Sequence, residues 1–199
     1  HGSALGDGHL GGIRGRQPGT FAGGNAKHGR LKAVLHLVHQ IGALGHSLGG
    51  HGTIFLAAYD DRIKASACNC GASFFRHNEG VINWARDRWY IYFKHIRPGI
   101  IKGKLPPIDF HEIMALVAPR AFMDISALND GDGGTQRQRL LMLMRVMDVY
   151  ELEKAPQNFG FYVHGRGHSV AHESRQLIYG WLDAHLKPPA ATATTRVEK

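Results

Sequence analysis

The stretch Ile-Gly-Ala-Leu-Gly-His-Ser-Leu-Gly-Gly occupies residues 41–50 and contains the pattern G-x-S-x-G at positions 45–49. A short apolar run at 41–44 precedes the pattern, and a helix-compatible run from Thr53 to Tyr59 follows it. This order of strand, sharp turn and helix is typical of a nucleophile elbow, in which a serine projects from the end of a strand. The stretch therefore predicts an α/β fold with Ser47 as the candidate nucleophile, although an ordinary Gly-rich turn shows the same pattern.

A candidate general base lies on a loop near the C-terminal end of the sequence. Residues 159–163, Phe-Gly-Phe-Tyr-Val, predict a buried strand, and residues 170–186 predict a helix with one apolar face. His168 lies between them on a Gly-containing loop, where a base would reach the serine in a fold of this type. The alternative is an ordinary surface histidine, since the chain contains 14 histidines. We interpret His168 as the base.

A metal site is a second alternative for the same loop. His164 and His172 flank His168 at four-residue spacing, which is compatible with shared metal ligation. The glycines at 165 and 167 break any continuous helical face, and we expect no nearby Cys or carboxylate to complete a ligand set. We therefore predict that the loop holds no metal ion.

The candidate acid lies on a turn between the serine and the histidine. A strand predicted at 121–126 runs into the turn Ala-Leu-Asn-Asp-Gly-Asp-Gly-Gly at 127–134. Asp130 and Asp132 lie on that turn, and either could accept a hydrogen bond from Nδ1 of the base. Asp124 lies inside the predicted strand, so its carboxylate is less well placed to reach His168. The structural alternative is an Asp-Gly turn whose carboxylates bond their own backbone. We favour Asp130 and keep Asp132 as the alternative acid.

Several segments match a known family. They are Gly-His-Ser-Leu-Gly-Gly at 45–50, Asp-Arg-Ile-Lys-Ala-Ser at 61–66, Asp-Phe-His-Glu-Ile at 109–113, Leu-Val-Ala-Pro-Arg at 116–120 and Gly-His at 167–168. From about Ile41 to Lys187 the chain resembles the α/β-hydrolase superfamily, specifically the bacterial esterases grouped with dienelactone hydrolases and acetyl xylan esterases. The resemblance implies a carboxylic-ester hydrolase that uses Ser47, Asp130 and His168. It also implies a small-molecule or carbohydrate ester as substrate and no metal or organic cofactor.

The front of the chain departs from the family pattern. The family has four strands before the elbow strand, and the loop after the third donates one of two oxyanion-hole N–H groups. Only 46 residues precede Ser47, and ten of residues 1–30 are glycine, so we expect a mainly parallel sheet flanked by helices that is N-terminally incomplete. The N–H of Leu48 is the one oxyanion donor we assign. Because losing one donor typically lowers turnover by about 10²–10³, a catalytically impaired, truncated hydrolase-like domain with a binding role is the alternative.

Composition predicts a single domain with two tails. The chain has 199 residues and is 43% hydrophobic, enough for one core. We divide it into a Gly/Arg-rich, poorly ordered segment at 1–30, a hydrolase domain at 31–187 and an Ala/Thr-rich tail at 188–199. A cap-like excursion at 72–108 is rich in aromatic residues, which would form either a substrate wall or the core of the cap. Further elements are predicted as a strand near 63–70 and helices near 109–117 and 135–151.

The charge distribution raises an alternative function. The formal net charge is +8, and residues 1–40 hold five Lys and Arg residues against a single Asp. Such a segment could bind nucleic acid. Without interleaved aromatic residues it is more typical of a solvated tail. We therefore expect no nucleic-acid partner and keep a basic nucleic-acid-binding protein, acting through residues 1–40, as an alternative.

Cysteine usage and hydropathy bear on the cellular compartment. Cys68 and Cys70 alternate in the strand predicted over Lys64 to Cys70, which puts both on one face and makes a mutual disulfide unfavourable. We predict buried free thiols, and these favour a reducing, cytoplasmic compartment. No run of about 18 apolar residues occurs, so we expect no membrane span.

Overall fold

Four parallel strands form the sheet of the described structure. The computed structural model describes residues 40–76, 84–87, 93–130 and 136–187. The strands pair in the order β1-β2-β3-β4 and comprise β1 (Ile41–His46), β2 (Ile63–Asn69), β3 (Ala121–Ala127) and β4 (Phe159–His164). The predicted α/β class with a parallel sheet is therefore confirmed.

Helices cover both faces of this sheet. They are α1 (Leu48–Tyr59), α2 (Arg97–Ile101), α3 (Phe110–Ala115), α4 (Gln136–Leu152) and α5 (His172–Leu186), with a 3-10 helix at Pro156–Asn158. Because successive strand residues point to opposite faces, Cys68 and Phe122 pack into the core shared with α1, α3 and α4. Ala67 and Ile125 instead pack against Ile178 of α5. The two central strands, β2 and β3, are buried almost throughout for this reason.

The end of β2 corrects one prediction. The strand ends at Asn69, one residue earlier than predicted, and Cys70 has a φ of 50°. A left-handed backbone breaks the two-residue alternation, so Cys70 does not continue the face of Cys68. Both thiols are nevertheless buried and free, as predicted. The other strands and helices predicted within the described residues lie close to their observed bounds.

A buried carboxylate ties the segment after β2 to helix α3. Asp109 is 2% exposed and caps α3, where its side chain accepts a hydrogen bond from the N–H of Phe110 at 2.8 Å. The same carboxylate accepts from the N–H groups of Phe75 at 2.7 Å and Arg76 at 3.1 Å. Glu112 completes a capping box by accepting from the N–H of Asp109 at 2.6 Å. The Asp-Phe-His-Glu-Ile segment thus starts a helix and anchors a loop at once.

The described aromatic residues of the excursion contribute to the core. Trp84 is 9% exposed and packs against Phe75, Phe110 and the partly buried Phe93. Trp84 therefore belongs to the core, as the core alternative predicts. The other aromatic residues that define the predicted excursion, Trp89, Tyr90 and Tyr92, lie outside the described residues.

The two predicted tails, 1–30 and 188–199, also lie outside the described residues, as does nearly all of the basic segment 1–40. The predicted domain bounds and the nucleic-acid alternative therefore stay predictions. None of the described helices is long and apolar enough to cross a membrane.

Two glycines of α1 provide a matched test of the helix packing. A Cβ on buried Gly50 would lie 2.9 Å from the Cα of Gly71, whereas a Cβ on Gly52 would meet nothing within 4 Å. We expect Gly50→Ala to lower the free energy of unfolding by about 1–3 kcal/mol, because backbone must move. Gly52→Ala should leave stability unchanged or raise it by up to about 1 kcal/mol, since alanine favours helix. Urea denaturation of both variants measures the difference, and equal stabilities would contradict the close packing.

Candidate active site

Ser47 lies on the sharp turn that joins β1 to α1. Its backbone has φ 56° and ψ −120°, a strained conformation for a residue other than glycine. Its N–H donates to the carbonyl of Asn69 at 2.9 Å, and its carbonyl accepts from the N–H of His51 at 3.0 Å. A Cβ on Gly45 would lie 2.1 Å from the carbonyl oxygen of Gly49, so only glycine permits this turn. The serine side chain does not cap the helix and is left for another partner.

The structure brings the three predicted site residues together. Nε2 of His168 lies 2.7 Å from Oγ of Ser47, and Nδ1 of His168 lies 2.8 Å from Oδ2 of Asp130. Ser47 follows β1, Asp130 follows β3 and His168 follows β4. All three strands are parallel, so their carboxyl ends lie at one edge of the sheet and the loops that follow them meet there.

The two contacts of His168 determine which ring nitrogen carries the proton. An ionised Asp130 can only accept, so Nδ1 of a neutral imidazole holds the proton and donates it to Oδ2. Nε2 then has a lone pair that accepts from the hydroxyl of Ser47. The side chain of His168 is 46% exposed and that of Asp130 is 20% exposed, so small molecules can reach the pair. The arrangement can remove a proton from Ser47 and return it.

The loop after β3, which carries Asp130, is called the acid loop, and the loop after β4, which carries His168, is called the base loop. A second hydrogen bond joins these two loops. The side-chain oxygen of Asn129 accepts from the N–H of Gly167 at 2.7 Å. Asn129 precedes Asp130, and Gly167 precedes His168 with a left-handed φ of 65° that suits glycine. This hydrogen bond holds the two loops together at the positions directly before Asp130 and His168. Sequence reasoning missed Asn129, because its adjacency to Asp130 was the only signal and its partner is 38 residues away.

The N–H of Leu48, the predicted oxyanion donor, belongs to the first turn of α1. Leu48 is the first residue of α1, and the first N–H groups of a helix have no partner within it. The positive end of the helix dipole adds favourable potential for a developing negative charge. The oxyanion role of Leu48 stays a prediction.

The other two aspartates considered for the acid are placed differently. Asp124 is fully buried inside β3 and accepts from Oγ of Ser126 at 2.7 Å. Burial raises the pKa of its carboxyl to about 6, against the smaller lowering effect of the Ser126 hydrogen bond and the Arg139 charge. Asp132 lies outside the described residues.

One group of possible metal ligands corrects an expectation about this loop. Ligand atoms of Cys70, Asp130 and His168 lie within 4.8 Å of one another, so a Cys and a carboxylate do lie near the histidine. They come from other loops, which is why the neighbouring sequence did not show them. Burial, reinforced by the charge of Asp130, raises the pKa of Cys70 to about 11. His164 uses its Nδ1 to accept from the N–H of Arg166 at 3.1 Å.

An open apolar groove runs beside the elbow helix. It has a volume of about 330 Å³ and is lined by Leu48, His51, Gly52, Phe55 and Phe93. One of its lining residues, Leu48, directly follows Ser47 in the sequence.

Solved structures similar to the chain identify its fold. A promiscuous CE15 esterase from the marine bacterial metagenome matches with a TM-score of 0.63 and 20% identity, over 79% of this chain and 47% of that one. A glucuronoyl esterase from Solibacter usitatus matches with a TM-score of 0.64 and 19% identity, over the same shares of 79% and 47%. A third is a glucuronoyl esterase from Sporotrichum thermophile in complex with methyl 4-O-methyl-β-D-glucopyranuronate, with a TM-score of 0.62 and 19% identity over 75% and 44%. The chain has the α/β-hydrolase fold.

The α/β-hydrolase fold confirms the resemblance at the level of the superfamily's architecture. The chain spans about half the length of the solved structures it matches. No protein-family model and no curated protein sequence matches it. The narrower resemblance to dienelactone hydrolases and acetyl xylan esterases stays a prediction.

His51, one turn after the serine, gives the fold a pH-dependent contribution to stability. Burial and the nearby charge of Arg86 lower its pKa from 6.5 to about 4, and the ring stacks on Trp84 at 4.7 Å. The unfolded chain therefore binds a proton at His51 before the folded chain does, so stability is lost as pH falls from 6.5 towards 4. The shift corresponds to about 3 kcal/mol at most.

We expect His51→Phe to remove this contribution. Thermal unfolding at pH 8, where the ring is neutral in both states, measures the packing change alone. Between pH 7 and pH 5 the wild-type protein should lose stability relative to the variant. Asp124, whose raised pKa acts in the opposite direction, is present in both proteins and cancels. Parallel pH profiles would show that His51 does not titrate as inferred.

Proposed function

We propose that this protein is a serine hydrolase that cleaves carboxylic esters through a covalent acyl-enzyme. The observation that carries the proposal is the continuous hydrogen-bond chain from Ser47 through His168 to Asp130, with distances of 2.7 and 2.8 Å. A nucleophile within hydrogen-bond reach of a base, which a third group orients, is the arrangement that activates a serine. The strained turn at Ser47 and the α/β-hydrolase fold support the same interpretation.

The first half of the proposed reaction forms the acyl-enzyme. Oγ of Ser47 attacks the carbonyl carbon of the ester while Nε2 of His168 takes the hydroxyl proton. The carbonyl oxygen becomes an oxyanion beside the N–H of Leu48. Asp130 accepts from Nδ1 and stabilises the imidazolium without taking its proton. The bond from the carbonyl carbon to the alcohol oxygen then breaks, and the alcohol leaves with the proton held on Nε2.

The second half reverses the roles of serine and water. Water attacks the acyl carbon and gives a proton to Nε2 of His168. The bond to Oγ of Ser47 breaks, and Oγ takes the proton back from Nε2. The products are a carboxylic acid, which ionises in solution, and the free enzyme. The proposed cycle uses side chains and a backbone N–H of the chain itself together with one water molecule, so it requires neither a metal nor an organic cofactor.

For the substrate we propose a small-molecule or carbohydrate ester. The apolar side chains of Leu48, Phe55 and Phe93 in the groove beside the elbow would contact the less polar part of such an ester. Carbohydrate esters are the first class to test, because glucuronoyl esterases share this fold. A panel with p-nitrophenyl acetate and methyl glucuronate should show hydrolysis of at least one ester.

Labelling with a fluorophosphonate probe tests the nucleophile. We expect wild-type protein to gain a single adduct by intact mass, and Ser47→Ala to gain none, because Oγ forms the bond. His168→Ala should slow labelling by about 10²–10⁴ through loss of the base. Asp130→Asn should slow it by roughly 10³–10⁴, because the imidazole then adopts the wrong tautomer.

Ser169→Ala provides the matched serine control. Ser169 lies next to His168, but its Oγ donates to the carbonyl of Arg166 at 2.9 Å, so we expect this variant to keep the adduct. Folded wild-type protein that gains no adduct would overturn the proposal and favour the catalytically impaired alternative. An adduct that persists in Ser47→Ala would place the reactive group elsewhere.

A further inference from the structure

Asn69 lies between the two loops that present the nucleophile and the base. It is the last residue of β2 and only 1% exposed. The sequence gives it no recognisable motif, and the proposed reaction makes no use of its side chain. A buried amide at the edge of the sheet where the site forms therefore calls for an explanation.

Asn69 makes three hydrogen bonds to the two loops of the site. Their partners are Ser47 itself, the residue before Ser47 and the residue after His168. Its side-chain nitrogen, Nδ2, lies 2.8 Å from Nδ1 of His46 and 3.0 Å from the carbonyl oxygen of Ser169. Its backbone carbonyl accepts from the N–H of Ser47 at 2.9 Å. His46 directly precedes the serine, and Ser169 directly follows His168. One residue of β2 thus bonds both loops of the site.

The two side-chain contacts determine the orientation of the amide. The carbonyl oxygen of Ser169 can only accept, so the atom facing it must be Nδ2 and not Oδ1. The second hydrogen of Nδ2 then points to His46, whose Nδ1 accepts and whose proton lies on Nε2. Oδ1 of Asn69 is buried and has no hydrogen-bond partner among the described residues. Burying Oδ1 without a partner lowers the stability of the fold. We therefore attribute the presence of an amide at position 69 to the two hydrogen bonds that Nδ2 donates.

We propose that Asn69 is a positioning residue that holds the imidazole of His168 in reach of Ser47. The proposal rests on the hydrolase function proposed above. Bonding the carbonyl of Ser169 fixes the backbone immediately after His168. The hydrogen bond to His46 fixes the imidazole of that residue, which packs beside the imidazole of His168. The two ring centroids are 4.8 Å apart. Asp130 and Asn129 constrain the base and its loop from the loop after β3, and Asn69 constrains them from β2.

Two substitutions of Asn69 separate its donors from its volume. Asn69→Ala removes both donors and leaves a small cavity. Asn69→Leu keeps most of the volume but has no hydrogen to donate, so it leaves the carbonyl of Ser169 without this partner. We expect both variants to lower the rate constant of fluorophosphonate labelling at Ser47 by about 10- to 100-fold, since a displacement near 1 Å has effects of that size.

A matched control lies on the same strand. Ser66 is fully buried in the middle of β2, three residues before Asn69, and its Oγ donates to the carbonyl of Ala121 at 3.3 Å. Ser66→Ala also deletes a buried polar side chain, so it reports the effect of a general loss of stability. We expect its labelling rate to stay within about twofold of wild type.

Proton NMR of the histidine rings supplies a readout that a merely structural role would not change. The downfield signal of the Nδ1 proton of His168, bonded to Asp130, should be sharp in wild type and Ser66→Ala. It should broaden or vanish in both Asn69 variants while circular dichroism shows them folded. If neither variant folds, the wild-type protein still tests the hydrogen bond between Asn69 and His46. The ¹⁵N chemical shifts of the His46 ring must then show a proton on Nε2 and none on Nδ1.

The proposal requires slower labelling and an altered His168 signal together in the Asn69 variants. Any other combination overturns it, as does a wild-type His46 that carries its proton on Nδ1. A wild-type protein without an adduct would instead overturn the hydrolase function, while the NMR signals would still decide whether Asn69 holds the histidine.

Discussion

The close approach of three backbone segments at the turn after β1 is the constraint on which the site depends. Gly45 lies against Gly49, and Gly50 lies against Gly71 in the loop after β2, each pair too close to admit a Cβ. Only under this packing can Ser47 hold its left-handed backbone, because the surrounding contacts offset the strain of the turn. The hydroxyl consequently extends beyond the edge of the sheet and not into the core.

The parallel sheet supplies the rest of the arrangement. Because β1, β3 and β4 all run in the same direction, the loops that follow them meet at one edge although Ser47 and His168 are 121 residues apart. Central strands covered by helices on both faces provide a rigid base for these loops. Ser47, Asp130 and His168 therefore lie on irregular segments of a regular scaffold, where catalytic residues are commonly found.

Amide side chains connect these irregular segments. Asn129 bonds the acid loop to the base loop, and Asn69 contacts both the residue before the serine and the residue after the histidine. Each contact acts one residue away from a member of the Ser47–His168–Asp130 chain. The side chains of the site are partly exposed, whereas Asn69, which borders them, is buried. Small molecules can therefore reach the exposed side chains of the site, while the hydrogen bonds of Asn69 to the two loops are shielded from water.

The sequence by itself determined the features that depend on neighbouring residues. Apolar patterning located the four strands and the helices α1, α3, α4 and α5, but not the short helix α2 within the predicted excursion. The G-x-S-x-G pattern located the turn at Ser47, and Gly-containing loops located Asp130 and His168. Only the tertiary structure decided the bonds between loops, the left-handed Cys70 that ends β2, and the approach of Cys70 to Asp130 and His168. The physical reason is that hydrogen bonds and packing act over a few ångströms in space. A single sequence reports distance along the chain, which for Asn69 and Ser169 is 100 residues.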